Sequence, residues 1–559
     1  MQPAQDPADR PRRRALWRYG PIAVVVLVIA AVVAVSVLGD DDESDDTVAE
    51  TAADPGELPE GVVTWSLAQE EGLDVDWPDT CDTSTGRIAI PFFFRTECFA
   101  PVDDNGGATG AQGVTGDTIT VVAWLPNEND PIWAIVRQGL GIDDTVEEVK
   151  ETYEGLVEVF QTYYETYGRT VELEFVEASG NMLDPVTARA DAVEAASHEP
   201  FLVLGGPLLS GTWTEELHAR DIVCVACPGA SDTEPTAFGI VPSESQTRRH
   251  VISYVSAKLA GKPAEFAGGD LAGRDRVFGL LSLAQSEGDE EQAADLRDDL
   301  VEEGADVAQV STFPLDPGRA QELAVNEIAK MKDAGVTTVI VEADPITLPA
   351  FTREATKQGW FPEWFLAGFP FTDTTTFGRT FDQEQWQRAF GLSYLPPAAP
   401  PELNPAYQLY EWYHGTPPPA DESLLLTYPQ VALTFTGFEY AGPNLTVETF
   451  RDGLFAFPPT PKAVTQPSVN YGDEVWDEPE YQGIDDMVEF WWDADATGPD
   501  ETGQEGTGMI RYVDGGRRYY HDEYPEELKV FEEEGAVTLI TDPPPAEVPP
   551  DYPSPAGGG

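Results

Sequence analysis

At 559 residues the chain exceeds a single compact domain, so two or more core units are expected. Its 41% hydrophobic and 10% aromatic content is enough to build real cores, which excludes wholesale disorder. A net charge of −68, from 100 Asp+Glu against 32 Lys+Arg, repels phosphate backbones and anionic lipid, which excludes nucleic acid as a partner and reads as solubility in an exposed or salty compartment.

Residues 1–20 form a basic cytoplasmic segment carrying Arg10, Arg12, Arg13, Arg14 and Arg18. Residues 21–39 follow as a transmembrane anchor: Pro21 to Leu38 is nearly all apolar, and eighteen residues at 1.5 Å rise span roughly 27 Å, close to a bilayer core. The basic flank stays inside, so the location expected is a single-pass protein of the cell membrane with the bulk of the chain extracytoplasmic. Ala34-Val35-Ser36 offers a small-x-small cleavage site, yet the apolar run is longer than an ordinary signal core, which favours an uncleaved anchor. No Cys lies near its end to carry a lipid. Residues 40–58, acidic and rich in Ala and Pro, read as a disordered linker. Residues 59–112 form an amino-terminal extension that packs on the main body. Its Cys81 and Cys98 are expected to bridge, closing a loop worth about 3 kcal/mol.

From Ile119 the pattern alternates. Strands are expected at 119–123, 171–176, 201–204, 222–225, 277–282, 306–312, 337–341 and 364–367, with helices at 143–167, 184–197, 211–220, 246–261, 289–303, 318–334 and 346–358 between them. Strands alternating with helices of this length mean parallel sheets in doubly wound domains. About nine strands are too many for one comfortable sheet, so two three-layer α/β lobes are inferred. Beyond residue 395 come Pro-rich loops, helices near 403–414 and 428–441, and short strands at 488–492 and 509–513. Residues 541–559 read as a Pro/Gly-rich disordered tail.

Cys224 and Cys227 form a C-x-x-C, but residues three apart on a continuous strand sit about 10 Å apart, too far to bridge unless the chain turns. They read as two small buried strand-end residues. Zinc would need two further ligands that the five scattered histidines do not provide, so no metal and no cofactor is expected. Asp493-Ala-Asp-Ala-Thr-Gly has the start of a calcium loop, but the twelfth position is Gln504 and not Glu; the segment reads as a turn between strands.

Three stretches narrow the reading: Gly113-Val-Thr-Gly-Asp-Thr-Ile-Thr-Val-Val; Leu202-Val-Leu-Gly-Gly-Pro-Leu-Leu-Ser-Gly leading to Asp221-Ile-Val-Cys-Val-Ala-Cys-Pro-Gly-Ala-Ser-Asp; and Ala329-Lys-Met-Lys-Asp-Ala-Gly-Val-Thr-Thr-Val-Ile-Val leading to Gly359-Trp-Phe-Pro-Glu-Trp-Phe-Leu-Ala-Gly. In this order and spacing the chain resembles the type I periplasmic binding proteins of the leucine/isoleucine/valine-binding kind, over roughly residues 113–520. The resemblance implies a cleft between two lobes, residues 113–240 plus 396–485 and residues 241–395 plus 486–540, joined near 239–247, 388–396 and 485–495. Loops at the strand ends would grip a small-molecule ligand: Trp133 as an aromatic wall, Leu209 and Ser210 in one serine turn, and Ala230 and Ser231 in another. From the second lobe would come Ser286, Phe371 and, nearest to where the family holds an ammonium, Asp344 or Asp373. Trp133 reads equally as a core residue, and Ser210 and Ser231 equally as helix N-caps. Phe369 and Phe371 favour a less polar or aromatic ligand.

The function so implied is an extracytoplasmic solute-binding protein capturing an amino-acid-like molecule, amide or aromatic acid for an ABC importer, with permease subunits as partners. The alternative is a surface sensory or interaction module with a degenerate cleft. An enzyme is disfavoured: there is no nucleophile elbow, no phosphate-binding G-x-x-x-x-G-K-[ST] and no H-E-x-x-H.

Overall fold

Cys81 and Cys98 are joined, as their spacing suggests, and the bridge fastens the two short antiparallel strands β1 (Cys81–Asp82) and β2 (Arg87–Ile88) that follow helix α1 (Trp65–Glu71). Ile88, Ile90 and Phe92 enter the main-body core, and Val62 and Phe99 pack with Tyr440 and Phe457. The extension is thus held by apolar contact with the body. Serine at both Cys81 and Cys98 is expected to lower the unfolding free energy by about 3 kcal/mol, measured by urea denaturation.

The computed structural model describes residues 58–557, apart from 93, 103, 131–132, 135–136, 138–140, 183, 208–210, 228–235, 285–286, 369–370, 401–402, 477–478 and 543. The expected anchor at 21–39, its basic flank and the linker up to residue 57 lie outside the described residues. Among the described residues no helix is long and apolar enough to cross a membrane.

The first sheet is parallel throughout. Its strands β3 (Thr118–Leu125), β4 (Thr170–Glu177), β5 (Leu202–Leu204), β6 (Val223–Val225) and β7 (Ala237–Phe238) lie in the order β4-β3-β5-β6-β7. Helix α2 (Val146–Tyr163) begins with a capping box between Thr145 and Glu148, and α3 (Pro185–Ser197) with Asp184 as N-cap before a helix-starting proline. With α4 (Thr212–His218), α3 covers one face through Ala192, Trp213 and Leu217, while Leu156 and Phe160 of α2 face the other.

Cys224 and Cys227 correct the sequence reading, because they are disulfide-bonded. Ala226 takes a φ of 58°, so the chain turns where β6 ends and the two Cα atoms come to 5.8 Å. A left-handed conformation at a non-glycine residue is rare, and nothing in the sequence foretells it.

After β7 the chain crosses to a second sheet. Helix α5 (Glu244–Tyr254), opened by a Ser243/Gln246 capping box, runs into a π-helical turn at Val255–Leu259. Strands β8 (Phe278–Leu283), β9 (Val307–Phe313), β10 (Thr338–Glu342), β11 (Glu363–Ala367) and β12 (Ala389–Ser393) then alternate with α6 (Glu287–Glu302), α7 (Ala320–Asp333), α8 (Leu348–Lys357) and the short α9 (Thr375–Gly378) and α10 (Gln383–Trp386). Three helices follow: α11 (Pro405–His414), α12 (Leu424–Ala441) and α13 (Val447–Phe455) return to the first sheet, where Leu409, Phe435 and Phe450 join its core. The chain crosses a third time into β13 (Asp486–Pro499), β14 (Glu505–Tyr512) and β15 (Arg518–Tyr520).

The second sheet runs β14-β13-β12-β11-β10-β8-β9, with β15 on β13. It is mixed where an all-parallel sheet was expected: β8 to β12 are parallel, and β13, β14 and β15 add on antiparallel. Residues 544–557, in the expected tail of 541–559, also depart from expectation, since they pack on the body and do not form a loose tail. Glu547 accepts from the backbone N–H groups of Val464 and Thr465, the Tyr552 hydroxyl donates to Asp82, and Trp412 donates to the Tyr552 carbonyl. Composition marked this segment as unable to form a core, but it needs none: it borrows one.

Candidate ligand site at the strand ends

Doubly wound sheets offer ligands the loops beyond the carboxyl ends of their parallel strands. In the first unit, Gly205 follows β5 with a φ of 69°, and a Cβ there would stand 3.4 Å from the Gln430 carboxamide oxygen, which accepts from the Tyr153 hydroxyl at 2.8 Å. Beyond β3, the buried Asp130 accepts from the backbone N–H of Met182 at 2.9 Å. Trp133 leans on the core built around Trp124 and Trp213, which is its core role. Leu209, Ser210, Ala230, Ser231 and Ser286 lie outside the described residues.

In the second unit the strand ends carry hydroxyl–carboxyl pairs. Ser282 at the end of β8 donates to Glu342 at the end of β10 at 2.7 Å, and burial raises the Glu342 carboxyl above its ordinary range. Asp344 is fully buried, and its Oδ1 accepts from the N–H groups of Ile346 and Thr347, both at 2.8 Å, while Oδ2 takes the Thr347 hydroxyl. It holds the turn before α8. Burial raises this carboxyl as well.

Asp373 differs. It follows β11, is 1% exposed, and its Oδ2 accepts from the hydroxyl of Ser393 at the end of β12, at 2.5 Å. Among the described residues its Oδ1 is buried with no hydrogen-bond partner. Burial pushes the carboxyl up to about 6 against the pull of Ser393. Phe371, two residues before it, is half-buried with a φ of 68° and its ring 6.1 Å from that of Phe377. The structure therefore brings together Phe371, Asp373 and Ser393, and leaves Asp344 and Trp133 engaged elsewhere. Ser393 was not singled out by the sequence, although a crossing was expected near 388–396, over the strand that ends on it.

The connections between the units are pinned by backbone and side-chain bonds. Gly239 donates to the Tyr481 carbonyl at 2.8 Å and accepts from Gly483 at 3.1 Å and from the Tyr471 hydroxyl at 2.8 Å. The Gln246 carboxamide donates to the Gln482 carbonyl. The Arg518 guanidinium donates to Asp486 at the start of β13 and to the Tyr394 carbonyl just past β12. A groove of about 570 Å³ lies elsewhere, between α5 and α6 and not at the strand ends, lined among others by Arg249, Ser253, Glu303 and Tyr524.

Chemically, the strand ends supply acids, hydroxyls and an aromatic ring. Among the described residues no group of three or more His, Cys, Asp or Glu is placed to hold a metal ion, and the buried His250 is kept neutral, its pKa pushed down to about 3 by burial.

No family model matches the chain, and no curated protein matches it. Solved structures do. A putative branched-chain amino acid ABC transporter protein from Silicibacter pomeroyi is 11% identical, with 74% of this chain and 100% of that one covered and a TM-score of 0.48. An ABC transporter substrate-binding protein from Aeropyrum pernix is 14% identical, covering 70% and 95%, with a TM-score of 0.47. A fatty acid ABC transporter substrate-binding protein from Thermomonospora curvata is 13% identical, covering 76% and 98%, with a TM-score of 0.46. Many of the structures the chain is similar to are thus branched-chain amino acid ABC transporter substrate-binding proteins, at low sequence identity.

Proposed function

We propose that the chain captures a small molecule between its two α/β units, delivers it to the permease subunits of an ABC importer, and performs no chemistry on it. The observation that carries the reading is Asp373: a buried carboxyl at a strand end, with one oxygen held by Ser393 and the other without a partner among the described residues. A ligand ammonium or amide N–H would satisfy that oxygen, and Phe371 offers an apolar neighbour. An amino-acid-like molecule, an amide or an aromatic acid fits this chemistry. The apolar run at 21–38 and the two disulfides support an anchored, extracytoplasmic location.

A thermal-shift screen of amino acids, amides and small aromatic acids tests the reading, with stabilisation by one class and no turnover as the expected result. Asp373→Asn is expected to weaken a cationic ligand roughly 10- to 100-fold, the loss of about 1.5–3 kcal/mol from a charge-assisted bond. Affinity for that ligand should also fall as the pH drops through about 6, where the free protein's Asp373 takes up its proton. Consumption of the ligand would sink the proposal. A screen with no stabilising class would favour a surface interaction module instead.

A further inference from the structure

Strand β13 has 14 residues, but only Phe390 to Ser393 of β12 pair with it. Its far half therefore projects from the sheet with β14 as a two-stranded ribbon, past a register shift between Asp493 and Thr497. A bare ribbon of this kind is marginal in water, so its shape needs other support. Arg379 provides it. The guanidinium donates to the carbonyls of Gly498 (2.7 Å), Gln504 (2.7 Å) and Gly508 (3.0 Å), and to the Asp500 carboxylate at 3.1 Å. Gly506 lies against it so closely that a Cβ would fall 2.7 Å from the guanidinium carbon. At the tip, Asp500 Oδ1 accepts from Thr502 and Gln504, and Glu501 accepts from the N–H groups of Thr375 and Thr376 at the start of α9.

The tip so fixed on the second unit touches the first. A Cβ at Gly141, in the connection that follows β3, would lie 3.2 Å from both Cα and Cβ of Thr502. Gly141 has a φ of 71°, and the residues after it are anchored in their turn. Ile142 is buried and exchanges hydrogen bonds with Arg137, and Asp144 accepts from the N–H of Ser423 at 2.7 Å. Both sides of the contact are built, and each belongs to a different sheet.

We infer that the β13–β14 ribbon is a latch, which reaches from the second unit to the β3 connection of the first and holds the two units together at a point separate from the three chain crossings. What the latch guards rests on the proposed ligand site; the contact itself does not. A ligand entering between the units must part Thr502 from Gly141.

Full-length Gly141→Cys/Thr502→Cys tests this, because the four native cysteines are already paired and the two new thiols are the only free ones. Oxidised glutathione should take up the two thiol hydrogens and electrons, leaving one new intramolecular disulfide and two reduced glutathiones. The radius of gyration from X-ray scattering should equal that of Thr502→Cys alone. Two persistent thiols, or a contraction on oxidation, would overturn the latch. Should cysteine at the left-handed Gly141 disturb folding, Thr502→Trp gives a second reading. A bulky ring at the contact should raise the radius of gyration, and an unchanged radius would overturn the inference. None of these needs a ligand, so a protein that bridges but binds nothing keeps the latch and loses the proposed function.

Discussion

Methionine at position 518 is expected to lower the unfolding free energy by about 3–5 kcal/mol, the cost of breaking a fully buried ion pair. The side chains of Arg518 and Asp486 are both 0% exposed, with Nε 2.8 Å from Oδ1. Arg518 also donates to the carbonyls of Tyr394 (2.8 Å) and Asp486 (2.9 Å), and Asp486 accepts from the N–H of Ser468 at 3.0 Å. Burial raises the Asp486 carboxyl, and the guanidinium pulls it back. Without Arg518 that carboxylate stays in a dry site or takes a proton, and two carbonyls lose a donor. The loss should therefore be smaller at low pH, where protonation is cheap. Arg518→Met with Asp486→Leu should recover more than half of it, since the unpaired charge, and not the lost attraction, dominates the cost. Urea titrations followed by tryptophan fluorescence would read both variants. A single variant within 1 kcal/mol of the parent would mean that water reaches the pair. Because Arg518 ties the end of β12 to the start of β13, the same variant should also loosen two of the three crossings.

The sequence makes the alternation legible through apolar spacing, and some helices add a cap that marks their start. Thr145 with Glu148, Asp184 with Pro185, and Ser243 with Gln246 are examples. Other features are less legible. Ala389-Phe-Gly-Leu-Ser lies where only a crossing near 388–396 was expected, and its glycine is needed because a Cβ there would meet the Leu366 backbone at 2.2 Å. The far half of β13, rich in Ala, Asp and Gly, reads as a turn because its partner is a ribbon and an arginine, not an apolar core. The Cys224–Cys227 bridge depends on the backbone of Ala226, which is set by tertiary context. At the site, Asp344 and Asp373 look equivalent as acids after strands. One spends both oxygens on its own turn, and the other gives one to Ser393 of the next strand and keeps one that no described residue meets.

Asparagine at position 485 is expected to abolish a pH dependence that the parent protein carries. Asp485 is 0% exposed, Oδ1 accepts from the Trp476 indole at 2.6 Å, and Oδ2 is buried without a partner among the described residues. Burial pushes the carboxyl up to about 8, with the neighbouring Asp486 charge adding to the shift. The other groups facing it do not offset the change. His250, which donates to the Asp485 carbonyl, is neutral throughout, and Arg518 is committed to Asp486. The folded-state value lies above the unfolded one, so folding takes up a proton whenever the pH is between the two. The stabilising contribution is complete below about pH 4 and shrinks as the pH rises, by at most about 1.4 kcal/mol per unit, until it levels off near pH 8. Asparagine keeps the acceptor for Trp476 and cannot ionise. Asp485→Asn should match the parent near pH 4 and exceed it progressively, by on the order of 3–4 kcal/mol more at pH 8 than at pH 5. Taking the difference between the two proteins cancels the titration of the acids remote from this pair, which would otherwise mask one carboxyl among 100. A difference that stays flat from pH 5 to 8 would show Asp485 already ionised in the folded protein. Water would then have to reach the third crossing.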